Sequence, residues 1–219
     1  MGAAGIPVVF IHGLWLNGLE SFFLRERVRG AGFSPSVFRY PSLHTSLAEV
    51  TAALAMRLRS FGGTVHVVAH SLGGLIALAT LERERDLPSG RLVLLGSPVQ
   101  GSRAASAIAS WSFGPQLLGP LAFAELARTR NCRWQLPREI GLIAGSRSAG
   151  LGRVFATLPQ PNDGTVCVDE TRLPGATAHL VLDVSHTGML LNQSVAAATN
   201  RFLERGSFGA PKSGLHVYV

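Results

Sequence analysis

Val65-His66-Val67-Val68-Ala69-His70-Ser71-Leu72-Gly73-Gly74-Leu75-Ile76 is the stretch on which the reading of this chain turns. Its first half is a short apolar run rich in valine, the signature of a buried strand, and its second half changes to a helical pattern. One serine stands at the corner. A chain that passes from strand to helix over a single residue holds that residue in a strained backbone conformation, so the positions two before and two after it must be small. Ala69 and Gly73 meet that need. The usual form of this corner has glycine at both small positions, and Ala69 departs from it without changing the steric argument. A serine in an ordinary turn is the rival reading, and the segments on either side bear on the choice.

Upstream, Pro7-Val8-Val9-Phe10-Ile11 reads as a buried strand running directly into His12-Gly13-Leu14-Trp15. Downstream, Pro161-Asn162-Asp163-Gly164-Thr165-Val166 places a carboxylate in a turn, and Val184-Ser185-His186-Thr187-Gly188-Met189 places a histidine after another apolar run. Serine, acid and histidine together have a chemical meaning. A serine hydroxyl is a poor nucleophile at neutral pH. A neutral imidazole must take its proton, and a carboxylate must hold that imidazole in one tautomer and stabilise it once charged. Ser71, Asp163 and His186 are therefore the catalytic candidates. Asp183, three residues before His186, is a second candidate acid that reads as a loop-orienting or surface residue, and Asp169 with Glu170 forms a polar pair of the solvated or capping kind. His70 and His179 read as structural, and His44, His66 and His216 fall in loop, strand and tail. None of these histidines has the spacing of a metal-binding motif, so no catalytic metal is expected.

With these pieces in place, the chain resembles the α/β-hydrolase family, and within it small bacterial lipases and esterases whose corner reads Ala-His-Ser-x-Gly-Gly. The resemblance runs from Pro7 to about Leu203 and rests on Phe10-Ile11-His12-Gly13, Ala69 to Gly74, Asn162-Asp163-Gly164 and Ser185-His186-Thr187-Gly188. The order serine, acid, histidine is that of the family. The resemblance implies an oxyanion hole made by the backbone amides of Leu14 and Leu72. It also implies cleavage of a carboxylic ester through an acyl-serine intermediate, without a cofactor. An amidase or thioesterase with the same triad, and a noncatalytic ligand-binding relative, stay open, because one fold hosts many activities.

Composition agrees with one domain. The chain has 219 residues, 47% hydrophobic and 15% charged, which excludes disorder and suits an α/β fold whose parallel sheet is covered on both faces. About six strands are expected, over residues 7–11, 36–40, 64–69, 91–95, 139–144 and 178–184, with helices over 17–31, 45–61, 72–85 and 189–203. The first two strands of the fuller version of the fold are expected to be missing. The hydrolase domain is read as 1–204 and the rest, 205–219, as a tail whose last five residues either pair as an edge strand or stay loose. Cys132 and Cys167 read as free thiols. No apolar run is long enough to span a membrane, and Met1-Gly2-Ala3-Ala4-Gly5-Ile6 lacks a basic start, so a cytoplasmic location without a signal peptide is expected.

Twenty basic residues against thirteen acidic ones give a net charge of +7, and Lys212 is the only lysine. This charge suits an anionic membrane surface or an acidic substrate as partner. Nucleic acid is not expected, since no recognised binding motif accompanies the charge. The clue to specificity is a cap expected over about 101–131, where an apolar run is broken by Gly114, Pro115, Gly119 and Pro120. Trp111 and Phe113 from this cap, and Trp15 beyond the His-Gly pair, are the candidate substrate-contacting residues for a small-molecule or lipid ester.

Overall fold

Successive side chains of a strand point to opposite faces, so a strand made wholly of apolar residues needs cover on both sides. The first strand, β1 (Pro7–Ile11), shows it: Val9 and Ile11 enter one core cluster, and Val8 and Phe10 enter another. The computed structural model describes residues 5–127, 132–149 and 158–209, and the backbone of 216–218. Along the chain follow α1 (Phe22–Gly30), β2 (Ser34–Phe38), α2 (Leu47–Arg59), β3 (His66–His70), α3 (Leu72–Arg83) and β4 (Leu92–Leu95). Then come α4 (Arg103–Ala109), α5 (Gly114–Leu126), β5 (Ile140–Gly145), β6 (Ala178–Leu182), α6 (Gln193–Arg205) and β7 (His216–Tyr218). The sheet order is β2-β1-β3-β4-β5-β6-β7. The first six strands run parallel, and β7 pairs antiparallel to β6, with Leu180 opposite Val217.

One face carries α2 and α3 through Val50, Leu54, Leu58, Leu75 and Ile76, together with Ile108, Leu118 and Leu121 from α4 and α5. The other carries α1 and α6 through Leu24, Val28, Val195 and Phe202. The expected α/β-hydrolase architecture is thus observed, with shifts at the ends of several elements, among them α1, which begins at Phe22 and not at 17. The second strand starts at Ser34, two residues before the expected 36, because Pro35 is accommodated at the sheet edge, where a missing N–H costs no ladder bond. The last helix begins at Gln193 and not at 189, because the Asn192 side chain accepts from the Ser194 and Val195 amides and caps it there.

Of the tail, residues 216–218 pair as an edge strand and extend the sheet. Its residues 210–215 and 219, and 128–131 at the end of the expected cap, lie outside the described residues. Among the described residues no helix is long and apolar enough to cross a membrane. No disulfide joins Cys132 and Cys167.

Candidate active site

The parallel strands all deliver their C-terminal ends to one edge, the place where α/β sheets gather ligand-binding residues. Ser71 follows β3 directly and has φ 52° and ψ −122°, a conformation that few residues other than glycine adopt. The neighbours explain why it must be flanked by small residues. A Cβ on Gly73 would lie 2.6 Å from the carbonyl oxygens of both Ile11 and His12, so only glycine lets α3 start this close to β1.

Asp163 and His186 come from the loops before and after β6. The Asp163 carboxylate is 1% exposed, and its Oδ1 accepts from the amides of Thr165 (2.9 Å) and Val166 (2.7 Å). Its Oδ2 lies 2.7 Å from His186 Nδ1, and the His186 amide donates to the Asp163 carbonyl at 2.9 Å. The two loops are thereby tied through both backbone and side chain. A carboxylate can only accept, so Nδ1 carries the proton and Nε2, at the opposite end of the ring, is left as the base. Gly96, at the end of β4, makes room for this pair: a Cβ there would lie 3.0 Å from His186 Nδ1 and 3.2 Å from Asp163 Oδ2.

Ser71 and His186 line the same cavity, of about 420 Å³. No hydrogen bond joins their side chains; such bonds are often long or misaligned until substrate binds. The cavity wall is mostly apolar, with Leu14, Trp15, Ala104, Ala105, Ile108 and Leu118 prominent in it. Trp15 lies on this wall, whereas the candidates Trp111 and Phe113 do not: they fall in the turn between α4 and α5, 36% and 59% exposed, and pack against each other outside the cavity. The inward face of α4 belongs to small residues, and a sequence reading that looks for bulky side chains passes over Ala104 and Ala105. The spacing of these alanines with Ile108, at i and i+3 or i+4, was the available signal.

The His-Gly loop passes over the serine. Gly13 comes so near that a Cβ on it would lie 3.1 Å from Ser71 Cβ. Leu14 and Trp15 line the cavity, and Trp15 has φ 59°. The Trp15 amide donates to Ser42 Oγ at 3.3 Å, and its indole Nε1 donates to the Leu117 carbonyl at 2.9 Å. That carbonyl belongs to α5, where the helix breaks at Gly119 (φ 72°) before Pro120. Leu72 heads α3, where first-turn amides have no partner within the helix and the dipole favours negative charge.

The remaining candidates are placed elsewhere. Asp183 is exposed and paired with Arg147 at 2.6 Å, which holds its carboxyl below the usual range. Asp169 pairs with Arg103. Glu170 is buried and accepts from the Arg103 and Cys167 amides, and burial pushes its carboxyl up. His70 is buried beside His186, with ring centroids 4.7 Å apart, and its Nε2 donates to the His186 carbonyl at 3.0 Å. Burial, then the neighbouring His186, pushes the His70 imidazole down to about 3, so it holds the His186 loop as a neutral group. Burial likewise raises the Cys167 thiol to about 11, which removes it as a rival nucleophile. Among the described residues no group of three or more His, Cys, Asp or Glu is placed to hold a metal ion.

A family model described as "Alpha/beta hydrolase family" matches residues 8–207. No curated protein matches the chain in sequence. Among solved structures, a lipase from Bacillus licheniformis in its mature form superposes with a TM-score of 0.72 at 23% identity, covering 94% of this chain and 93% of that one. A thermophilic esterase from Thermogutta terrifontis gives a TM-score of 0.63 at 16% identity, with 93% and 91% covered. A thioesterase of the prodiginine biosynthetic pathway from Streptomyces coelicolor gives 0.59 at 15% identity, with 92% and 84% covered. At these identities the likeness is one of fold.

Proposed function

The chain belongs to the alpha/beta hydrolase family, and from that premise we propose that it is a serine hydrolase of carboxylic esters with an apolar acyl group. The observation that carries this reading is the joint placement of Ser71, at a positive-φ corner, and the Asp163-bonded His186 on the wall of one apolar cavity. In the proposed reaction Ser71 Oγ attacks the ester carbonyl carbon while His186 Nε2 takes its proton. The carbonyl π electrons move to oxygen, and the amides of Leu14 and Leu72 bind the oxyanion. The tetrahedral adduct collapses, the alcohol leaves with the proton from His186, and Ser71 is acylated. Water then attacks the acyl carbon with His186 again as base, releasing the acid and restoring the serine. Asp163 keeps His186 in the required tautomer and stabilises the imidazolium.

Trp15 is proposed to contact the substrate, together with Ala104, Ala105, Ile108 and Leu118. Trp111 and Phe113 stand at the outside of the cap, where with the half-exposed Trp15 and the excess of arginine they suit contact with an anionic lipid surface.

The test is a panel of nitrophenyl esters of rising acyl length, offered free and on anionic vesicles, beside matched thioester and amide substrates. The expected result is ester hydrolysis that Ser71→Ala lowers by about 10⁴- to 10⁶-fold. Cleavage of the thioester or amide in preference to the ester would move the substrate class, and activity that survives Ser71→Ala would overturn the mechanism.

A further inference from the structure

The ring of His12 has two hydrogen-bond partners, and both require the same tautomer. Its Nε2 faces the Tyr40 amide at 3.3 Å, and an amide N–H can only donate, so Nε2 must carry a lone pair. Its Nδ1 faces the Gly13 carbonyl at 2.9 Å, and a carbonyl can only accept, so Nδ1 must carry the proton. The ring is 3% exposed and stacks on Tyr40, with centroids 4.3 Å apart and planes 8° from parallel. Tyr40 in turn donates its hydroxyl to the His12 carbonyl at 3.0 Å. His12 is thus clamped in orientation and held neutral by burial.

The consequence reaches the next peptide. In a trans peptide the C=O of Gly13 and the N–H of Leu14 point in opposite directions across one rigid plane. Holding the carbonyl on the His12 side therefore directs the Leu14 N–H away from the ring, in the loop that lines the cavity with Ser71. A glycine peptide without this tether turns over readily, and turned over it would present a carbonyl oxygen where a donor is needed. We propose that His12 is a positioning residue: its Nδ1–H locks the Gly13–Leu14 peptide in the one orientation that offers the Leu14 amide to the substrate oxyanion. This rests on the esterase reading above, and it assigns His12 no contact with substrate and no proton transfer.

Two polar replacements separate the two halves of the clamp. His12→Asn keeps an N–H donor near the position of Nδ1, and His12→Gln places its amide near the position of Nε2, where it serves Tyr40 and not Gly13. The measurements are kcat and KM for one ester, and inhibition by a phenylboronic acid, whose tetrahedral anion needs the oxyanion donors. For His12→Gln the expected result is a fall of about 10²-fold in kcat, the scale of one lost oxyanion donor, with KM within about threefold and boronate affinity falling in parallel. For His12→Asn, kcat within about tenfold of the parent is expected. Equal turnover in the two variants, or loss confined to His12→Asn, overturns the proposal. So does a fall in kcat with boronate affinity unchanged. Ser71→Ala, run beside them, tests the esterase reading separately: its failure to abolish turnover sinks that reading, whereas its success with an unimpaired His12→Gln sinks only the peptide lock.

Discussion

Two carboxylates compete for His186 on sequence grounds, and their surroundings separate them. Asp163 is buried, accepts two backbone amides and reaches His186 Nδ1, so its charge acts on the imidazole with little screening. Asp183 is 71% exposed at its side chain and spends its charge on Arg147. Asp163→Asn is therefore expected to lower kcat by about 10³- to 10⁴-fold, because the amide presents either a wrong donor or a weaker acceptor to Nδ1. Asp183→Asn, losing one exposed and solvent-screened ion pair, should leave kcat within about twofold and the unfolding midpoint essentially where it was. Steady-state kinetics on the two variants decides the assignment, and the reverse ranking would move the acid to Asp183. Nearness in sequence favours Asp183, and the fold overrides it. What joins Asp163 to His186 is the pairing of β5 with β6, and a spacing of 23 residues does not reveal it.

At the scale of elements, α4 bounds the cavity and the aromatic residues that follow it do not. Ala104 lines the cavity while standing outside the main core clusters, so a larger side chain there fills space that an acyl chain would use. Ala104→Leu is expected to reduce kcat/KM for the longest esters accepted by tenfold or more, the worth of a methylene or two in an apolar pocket, and to leave an acetate ester within about threefold. Trp111→Ala should leave the chain-length profile as it was. A uniform loss across all lengths in Ala104→Leu would mean that the substitution disturbs the triad and that α4 does not bound the acyl site. Much of this level was legible in the sequence. Strands buried on both faces are continuous apolar runs, so β1, β3 and β4 are plain in the pattern, and the strained corner at Ser71 is written in Ala69 and Gly73. The edges were less legible. Pro35 reads as a strand breaker until it is known to lie on the sheet edge, and α4 brings two alanines to the cavity while Trp111 and Phe113 after it stand outside.

At the scale of the whole molecule, the buried histidines that carry no proton in the proposed reaction become a liability in acid. His66, His70 and His179 are buried, and burial pushes them down to about 4, 3 and 4, so all three stay neutral in the folded chain at pH values where the unfolded chain has already taken up protons. Their ordinary value is near 6.5. Between about pH 6.5 and pH 4 the unfolded state therefore binds more protons than the folded state, and stability falls as pH falls through that window. Three protons give a slope of up to about 4 kcal/mol per pH unit near the middle of that window, from about 1.4 kcal/mol per proton, and the slope shrinks toward pH 4 as His66 and His179 take up protons in the folded chain as well. The excess of arginine acts in the same direction once carboxylates begin to protonate, because the net charge of +7 grows and repels itself. Urea unfolding followed by tryptophan fluorescence at pH 7, 5.5 and 4.5 should show the midpoint dropping steadily. His66→Asn keeps an acceptor near the Nδ1 position that binds the Arg91 amide at 2.8 Å and removes one titrating group. That variant should flatten the slope by about one proton's share, and an unchanged slope would mean that the burial of His66 does not resist protonation in the folded chain.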